Sequence, residues 1–501
     1  MRDKYIELIK EYIKVKPGYK SVLDEIKREV TSIGATEEEF EEAIKQIERQ
    51  DNFILQNTIQ PVSRSQNIPK NARIKNLFNS SSRTINKNKK HIAVISLTIV
   101  FLFFIGFNFN RQETPKNVTG YQAPLVKTTI SKNDSFPVVY ASSEKIDVDK
   151  IFSIKSNKVK LTISGKPKKE IMGFFPYWML SKYDKISLDD LTSISLFGLD
   201  TDGNGNIVTK TDSGDAQGGW SMWKDPLVDK LIQKARSKDV KVYLTFKSFD
   251  SSNIDKLSLS DTAQKNFIAN ALYLVNSKNL NGINIDFEYQ GVPSQLVRDG
   301  FTRFITNLNI ELKRQIPNSN LTVDTYLSSG SESGLFNIGP LSQNLDAFVI
   351  MAYDMHTPLG EPGPVSAMGG DKNIIGYVQN YLEKTDASKL ILAVPYYGYD
   401  WPKDTSNTTS GDVKILPYAE IADLSSLQKI YWDDDSQTPY YTYKDASGTL
   451  RIVHFDNVRS LGIKYDFVNA KNLKGVGIWA LGYDGENQDL EKLLIDKFIN
   501  Q

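Results

Sequence analysis

From residue 168 onward, short apolar runs alternate with amphipathic stretches. The runs are Ile171–Phe175, Ser193–Phe197, Val242–Phe246, Gly282–Phe287, Leu321–Tyr326, Ala347–Ala352, Leu390–Val394 and Gly475–Ala480. Between several of them, apolar residues recur at helical spacing, as in Pro226–Lys238, Thr262–Asn276 and Ser294–Gln315. Eight buried strands separated by helices predict an α/β fold, a closed (β/α)8 TIM barrel rather than an open doubly wound sheet. The stretch 403–465 has β-like content of its own, in Pro439–Tyr443 and Leu450–Phe455. It is expected to be an α+β insertion after strand 7, and without it the remainder approaches the usual barrel length of about 250 residues.

The first third of the chain follows another pattern. Residues 1–60 carry Tyr5, Ile6, Ile9 and Tyr12, then Val22, Ile26 and Val30, at helical spacing, and Thr36 with Glu39 forms a capping box. A three-helix module is expected there. Residues 61–90 hold eight Lys/Arg and no acid. Ile92–Phe109 then runs eighteen residues without a charge, which as a helix reaches roughly 27 Å, close to the hydrocarbon thickness of a bilayer. Residues 91–109 are therefore expected to form one transmembrane helix. The basic flank 61–90 stays on the cytoplasmic side, which puts residues 1–60 inside the cell and the barrel outside. Residues 110–167, rich in Lys, Ser, Thr, Asn and Pro, are expected to form a stalk.

Composition narrows the chemistry. The 501 residues carry a net charge of +1, which makes no general case for nucleic-acid binding. Zero cysteines remove disulfides, thiolate metal sites and a cysteine nucleophile. Only His91, His356 and His454 are available, so neither a metal centre nor a cofactor is expected. Asp200-Thr-Asp202-Gly-Asn204-Gly205 matches half of a calcium-loop pattern, but Thr211 stands at its twelfth position. A hairpin turn after strand 2 explains it better.

The fourth strand is the most informative segment: Leu280-Asn-Gly-Ile-Asn-Ile-Asp-Phe-Glu288. Alternation puts Asn284, Asp286 and Glu288 on one face and Ile283, Ile285 and Phe287 on the other. If the apolar face packs on helices, two carboxylates and an amide point into the barrel at its C-terminal end. Burial there is costly unless the groups are hydrogen-bonded and used.

This segment resembles the signature of glycoside hydrolase family 18, the chitinase-like barrels, at all eight positions from Asn281 to Glu288. Gly173-Phe-Phe-Pro-Tyr-Trp178, Met351-Ala-Tyr-Asp354, Pro395-Tyr-Tyr-Gly-Tyr-Asp-Trp401 and Gly475-Val-Gly-Ile-Trp-Ala-Leu-Gly482 are similar to other segments of that family. The wording looks closest to the bacterial spore-cortex and peptidoglycan N-acetylglucosaminidase branch. The resemblance implies retaining hydrolysis of β-1,4-linked N-acetylglucosamine glycans, peptidoglycan or chitooligosaccharide, in which the substrate's 2-acetamido group is the nucleophile. Glu288 would be the acid/base, Asp286 would orient the acetamido group, Tyr353 would donate to its carbonyl, and Trp479 would form the sugar floor. Asn284, Asp354, Tyr397, Trp401 and Trp178 complete the expected substrate-binding set, with Trp223 and His356 as further candidates near the cleft. Two features depart from many chitinases: Asn284 stands where they carry an aspartate, and Thr245-Phe-Lys-Ser-Phe-Asp250 lacks their Ser-x-Gly-Gly. The competing reading is a catalytically silent, lectin-like barrel, and the retained Glu288, Asp286 and Tyr353 favour the enzyme.

Overall fold

The computed structural model describes Lys27, residues 40–42 and 44–45, and residues 146–155, 161–331, 334–403 and 413–500. Eight parallel strands close into a barrel: β1 (Glu170–Pro176), β2 (Ser193–Asp200), β3 (Lys241–Ser248), β4 (Gly282–Phe287), β5 (Asn320–Tyr326), β6 (Ala347–Met351), β7 (Leu390–Pro395) and β13 (Gly475–Trp479). Neighbours pair in chain order, and β13 closes the ring between β7 and β1. The predicted strands coincide with the observed ones to within a few residues, because each combines a buried run with polar or Gly-containing boundaries.

Helices cover the outside. The helix Asp261–Ser277 starts on Ser260, whose side chain accepts from the Ala263 amide, and Gln295–Gln315 starts on Ser294 in the same way. Their inner faces supply Phe267, Phe301 and Phe304, which ring Phe287 of β4 at centroid distances of 6.1 Å each. With Ile283 and Ile285 fully buried beside it, the outward face of β4 is locked in register. At the base of this strand, a Cβ on Gly282 would come within 2.1 Å of the Asn320 carbonyl, so only glycine allows β4 and β5 to approach as they do.

Between β7 and β13 the chain forms a second, antiparallel sheet in the order β10-β11-β12-β8-β9. Its strands are β8 (Tyr397–Pro402), β9 (Lys414–Pro417), β10 (Tyr431–Asp433), β11 (Thr438–Lys444) and β12 (Leu450–His454). This sheet begins at Tyr397, not at residue 403. Only Tyr396 separates β7 from β8, and its amide donates to the Trp479 carbonyl at the turn. Arg451, fully buried, ties β12 to β8 by donating to the Asp400 carboxylate and carbonyl, both at 2.9 Å.

The packed unit reaches back before residue 168. Ile151 and Phe152 are buried in the core, Lys150 pairs with Glu420, and Asn500 bridges Ser164 and Thr162. An adjacent apolar pair is poorly suited to a solvated tether, so the end of the expected stalk 110–167 packs down. Among the described residues no helix is long and apolar enough to cross a membrane. The expected span 91–109 and basic linker 61–90 lie outside the described residues, as does most of the 1–60 module, whose few described positions are helical.

Candidate active site

The inward face of β4 is as polar as its alternation requires. Asn284, Asp286 and Glu288 are all buried, at 0%, 3% and 2% exposure. The amide of Asn284 donates to Thr322 Oγ1 at 3.0 Å and to Asp324 Oδ1 at 2.7 Å, both on β5. The Glu288 backbone amide is held by the Ser248 carbonyl at 2.9 Å, and its side chain is hydrogen-bonded with the Tyr326 hydroxyl. Burial pushes the Asp286 carboxyl up to about 7, against the pull of the Lys247 ammonium. Asp324 is driven well above its ordinary value by burial and then by the charge of Asp286.

Tyr353 follows β6 and faces this group. Burial, then the fields of Asp324, Asp286, Asp354 and Glu288, holds its phenol well above the usual range, so it remains a hydrogen-bond donor. Asp354 has a left-handed backbone, φ 55°, which turns its side chain to accept from Tyr397 and, at 2.7 Å, from Tyr399. Strict alternation would have left its direction open. Burial lifts its carboxyl to about 6, and the two tyrosine hydroxyls oppose the rise.

The other half of the barrel, along β13, β1 and β2, is aromatic. Trp479 lies edge-on to Phe197 at 4.6 Å and to Trp178 at 6.3 Å, with Phe174 at 5.9 Å. In the ring order β13 lies across from β4, so these aromatic rings and the β4 carboxylates sit on opposite sides of the barrel, an arrangement suited to a ligand with an apolar face and polar substituents.

Two of the tryptophans expected to contact sugar are closely packed by protein. Trp401 is fully buried in the second sheet, between Tyr399 and His454, so no face of its ring is open to a sugar. Trp223 is buried beneath the Lys278 ammonium, 4.9 Å from the ring centre. Tyr397 belongs to β8 and reaches the site through its hydroxyl on Asp354. His356 is half-buried, with Nδ1 2.9 Å from the Pro364 carbonyl, and His454 is buried in the second sheet. The calcium-like loop is a turn: Asp202 Oδ1 accepts from the amides of Asn204 and Asn206, next to an antiparallel Thr201–Ile207 bridge.

Sequence reasoning missed Asp324 and Tyr326 on β5 and Lys247 on β3. The signal was present, because Thr322, Asp324 and Tyr326 alternate with Leu321 and Val323 as Asn284, Asp286 and Glu288 alternate on β4. Elsewhere, a cavity of about 390 Å³ is lined by Asp190, Tyr396, Asp484 and Glu491, among others. Among the described residues no group of three or more His, Cys, Asp or Glu is arranged to hold a metal ion.

Comparison with known proteins gives this geometry its context. The profile of "Glycosyl hydrolases family 18" matches residues 170–484, more than half of the chain. Di-N-acetylchitobiase of Rattus norvegicus is 27% identical over 243 residues, spanning 44% of this chain and 66% of that protein. The cortical fragment-lytic enzyme of Bacillus anthracis is 26% identical over 242 residues, 46% of this chain and 54% of that protein. This chain therefore spans about half to two thirds of the length of these relatives. A chitinase from Cycas revoluta, solved in complex with (GlcNAc)3, shares the fold with a TM-score of 0.57 at 18% identity, covering 66% of this chain and 99% of that one. The spore cortex-lytic enzyme SleL of Bacillus megaterium does so with a TM-score of 0.52 at 19% identity, covering 68% and 76%. With its barrel, its strand-4 carboxylates and the matching profile, the chain belongs to glycosyl hydrolase family 18.

Proposed function

We propose that this protein hydrolyses β-1,4 linkages in N-acetylglucosamine-containing glycans, peptidoglycan or chitooligosaccharide, with retention of configuration. The observation that carries the reading is the buried inward row Asn284, Asp286 and Glu288, faced by the Tyr353 hydroxyl and opposed by the Trp479 wall. The substrate's acetamido oxygen attacks the anomeric carbon while Glu288 protonates the departing glycosidic oxygen, and the C–O bond breaks to leave a cyclic oxazolinium ion. Asp286 accepts a hydrogen bond from the acetamido N–H and balances the positive charge. Tyr353 donates to the acetamido oxygen. Glu288, now ionised, takes a proton from the water that opens the ring from the same face. Trp479 forms the floor under the reacting sugar, with Trp178 beside it. Tyr397 acts through Asp354, and Asn284 acts through Asp324.

The names of the relatives point to both glycan classes, a chitobiase on one side and cortex-lytic enzymes on the other. The reading also includes anchoring by residues 91–109 as a single-pass membrane helix, with the N-terminus in the cytoplasm and the barrel outside, near the cell wall. The basic 61–90 flank and the uncharged run after it support this topology. The test offers the full chain and its Glu288→Gln variant purified peptidoglycan and N-acetylglucosamine oligomers in parallel, with products read by mass spectrometry. New reducing ends from the wild type and none from the variant support the hydrolase, and the preferred donor identifies the substrate. Sugar binding without products from either glycan would replace the enzyme with a lectin-like barrel.

A further inference from the structure

Asp286 must be an anion when the oxazolinium ion forms, yet its surroundings oppose that charge. On its own strand it has neutral Asn284 and the carboxylate Glu288. On β5 it faces Asp324 and Tyr326, and on β6 it faces Tyr353. One of its oxygens, Oδ1, is buried with no hydrogen-bond partner. The asymmetry lies on the remaining side, β3.

Lys247 lies opposite Asp286 in the β3–β4 register and opposite Asp200 in the β2–β3 register, so the three side chains form one row across adjacent strand ends. The lysine side chain is 11% exposed. Its ammonium pairs with Asp200, whose other oxygen accepts from the Gln217 amide. It also sits 4.9 Å above the Phe249 ring. Gly198 leaves room for the stem, since a Cβ there would lie 3.3 Å from Lys247 Cδ. A lysine that is buried, paired and sterically accommodated at this level is built in.

We propose that Lys247, held by Asp200, is a positioning residue that keeps Asp286 ionised beside the other carboxylates of the site. This rests on the catalytic reading above and assigns a role to the Thr-Phe-Lys-Ser segment in which the chain departs from many chitinases. Lys247 needs no contact with substrate. Its fixed positive charge favours the anionic form of Asp286, and an uncharged side chain of similar size would not.

The experiment follows the carboxyl of Asp286 by 13C NMR titration in the full chain labelled with carboxyl-13C aspartate, the signal being assigned by its loss in Asp286→Asn. In Lys247→Met the midpoint of Asp286 is expected to move upward by about one pH unit or more, the size typical of losing a nearby opposite charge. Lys247→Arg is expected to restore the wild-type midpoint. Lys247→Gln serves if the Met variant does not fold, with the same upward move expected. The acid limb of kcat against pH should move with the midpoint, while KM at neutral pH changes little. A folded Met or Gln variant with an unmoved Asp286 midpoint overturns the proposal. The NMR readout needs no turnover, so its failure is distinct from failure of the hydrolase reading, which would appear as a wild type that releases no product.

Discussion

If Asp286 is kept as an anion for chemistry, it should be a liability for folding, and Asp286→Asn should expose this. Its carboxyl is raised from 3.8 to about 7 by burial, and at about 1.4 kcal/mol per pH unit this corresponds to about 4 kcal/mol at alkaline pH. A raised folded-state value means that the stability associated with the protonated group is fully present below pH 3.8 and is lost as pH rises through about 7. Asparagine cannot ionise, so its advantage over the wild type should grow across that window, by about 3 kcal/mol between pH 5 and pH 8.5. The assay is urea unfolding of both proteins at the two pH values. Comparing the mutant-minus-wild-type difference at each pH cancels any pH-independent packing change. Turnover should meanwhile fall by about 10²- to 10³-fold, the usual loss for a group that stabilises developing charge. A stability difference that is the same at pH 5 and pH 8.5 would refute the reasoning.

Two further outcomes follow from the same packing. Phe287→Ala empties a fully buried ring site between two helices, and should cost about 3–5 kcal/mol in urea unfolding while lowering kcat, because the flanking Asp286 and Glu288 lose their register. A loss below 1 kcal/mol would show that the outward face of β4 does not hold the inward one. In the proposed mechanism Tyr353→Phe removes the donor to the acetamido oxygen, and it should lower kcat by about 10²-fold with KM within a few-fold. Unchanged steady-state kinetics would remove Tyr353 from the chemistry.

Much of this architecture is legible in the sequence alone. The β4 segment declared itself because a barrel interior is normally apolar, so an alternating amide and two carboxylates stand out there as a candidate site. What stayed hidden depends on register between strands. Asp324 and Lys247 look like ordinary alternating polar residues until β3, β4 and β5 are aligned, and only then do they flank Asp286. The fate of Trp401 was hidden for a similar reason. In sequence it follows strand 7 closely, but the chain turns at Tyr396 into the second sheet, and the ring is packed there. The direction of Asp354 required a left-handed backbone that no periodicity announces.

The central claim is that Glu288 drives a retaining, substrate-assisted hydrolysis. The most direct measurement is 1H NMR of the anomeric protons during the first minutes of chitooligosaccharide cleavage by the full chain. The β-anomer should accumulate first and convert to the α-anomer only by mutarotation, and Glu288→Gln should give neither. Early α-anomer, or turnover by the Gln variant at the wild-type rate, would contradict the account.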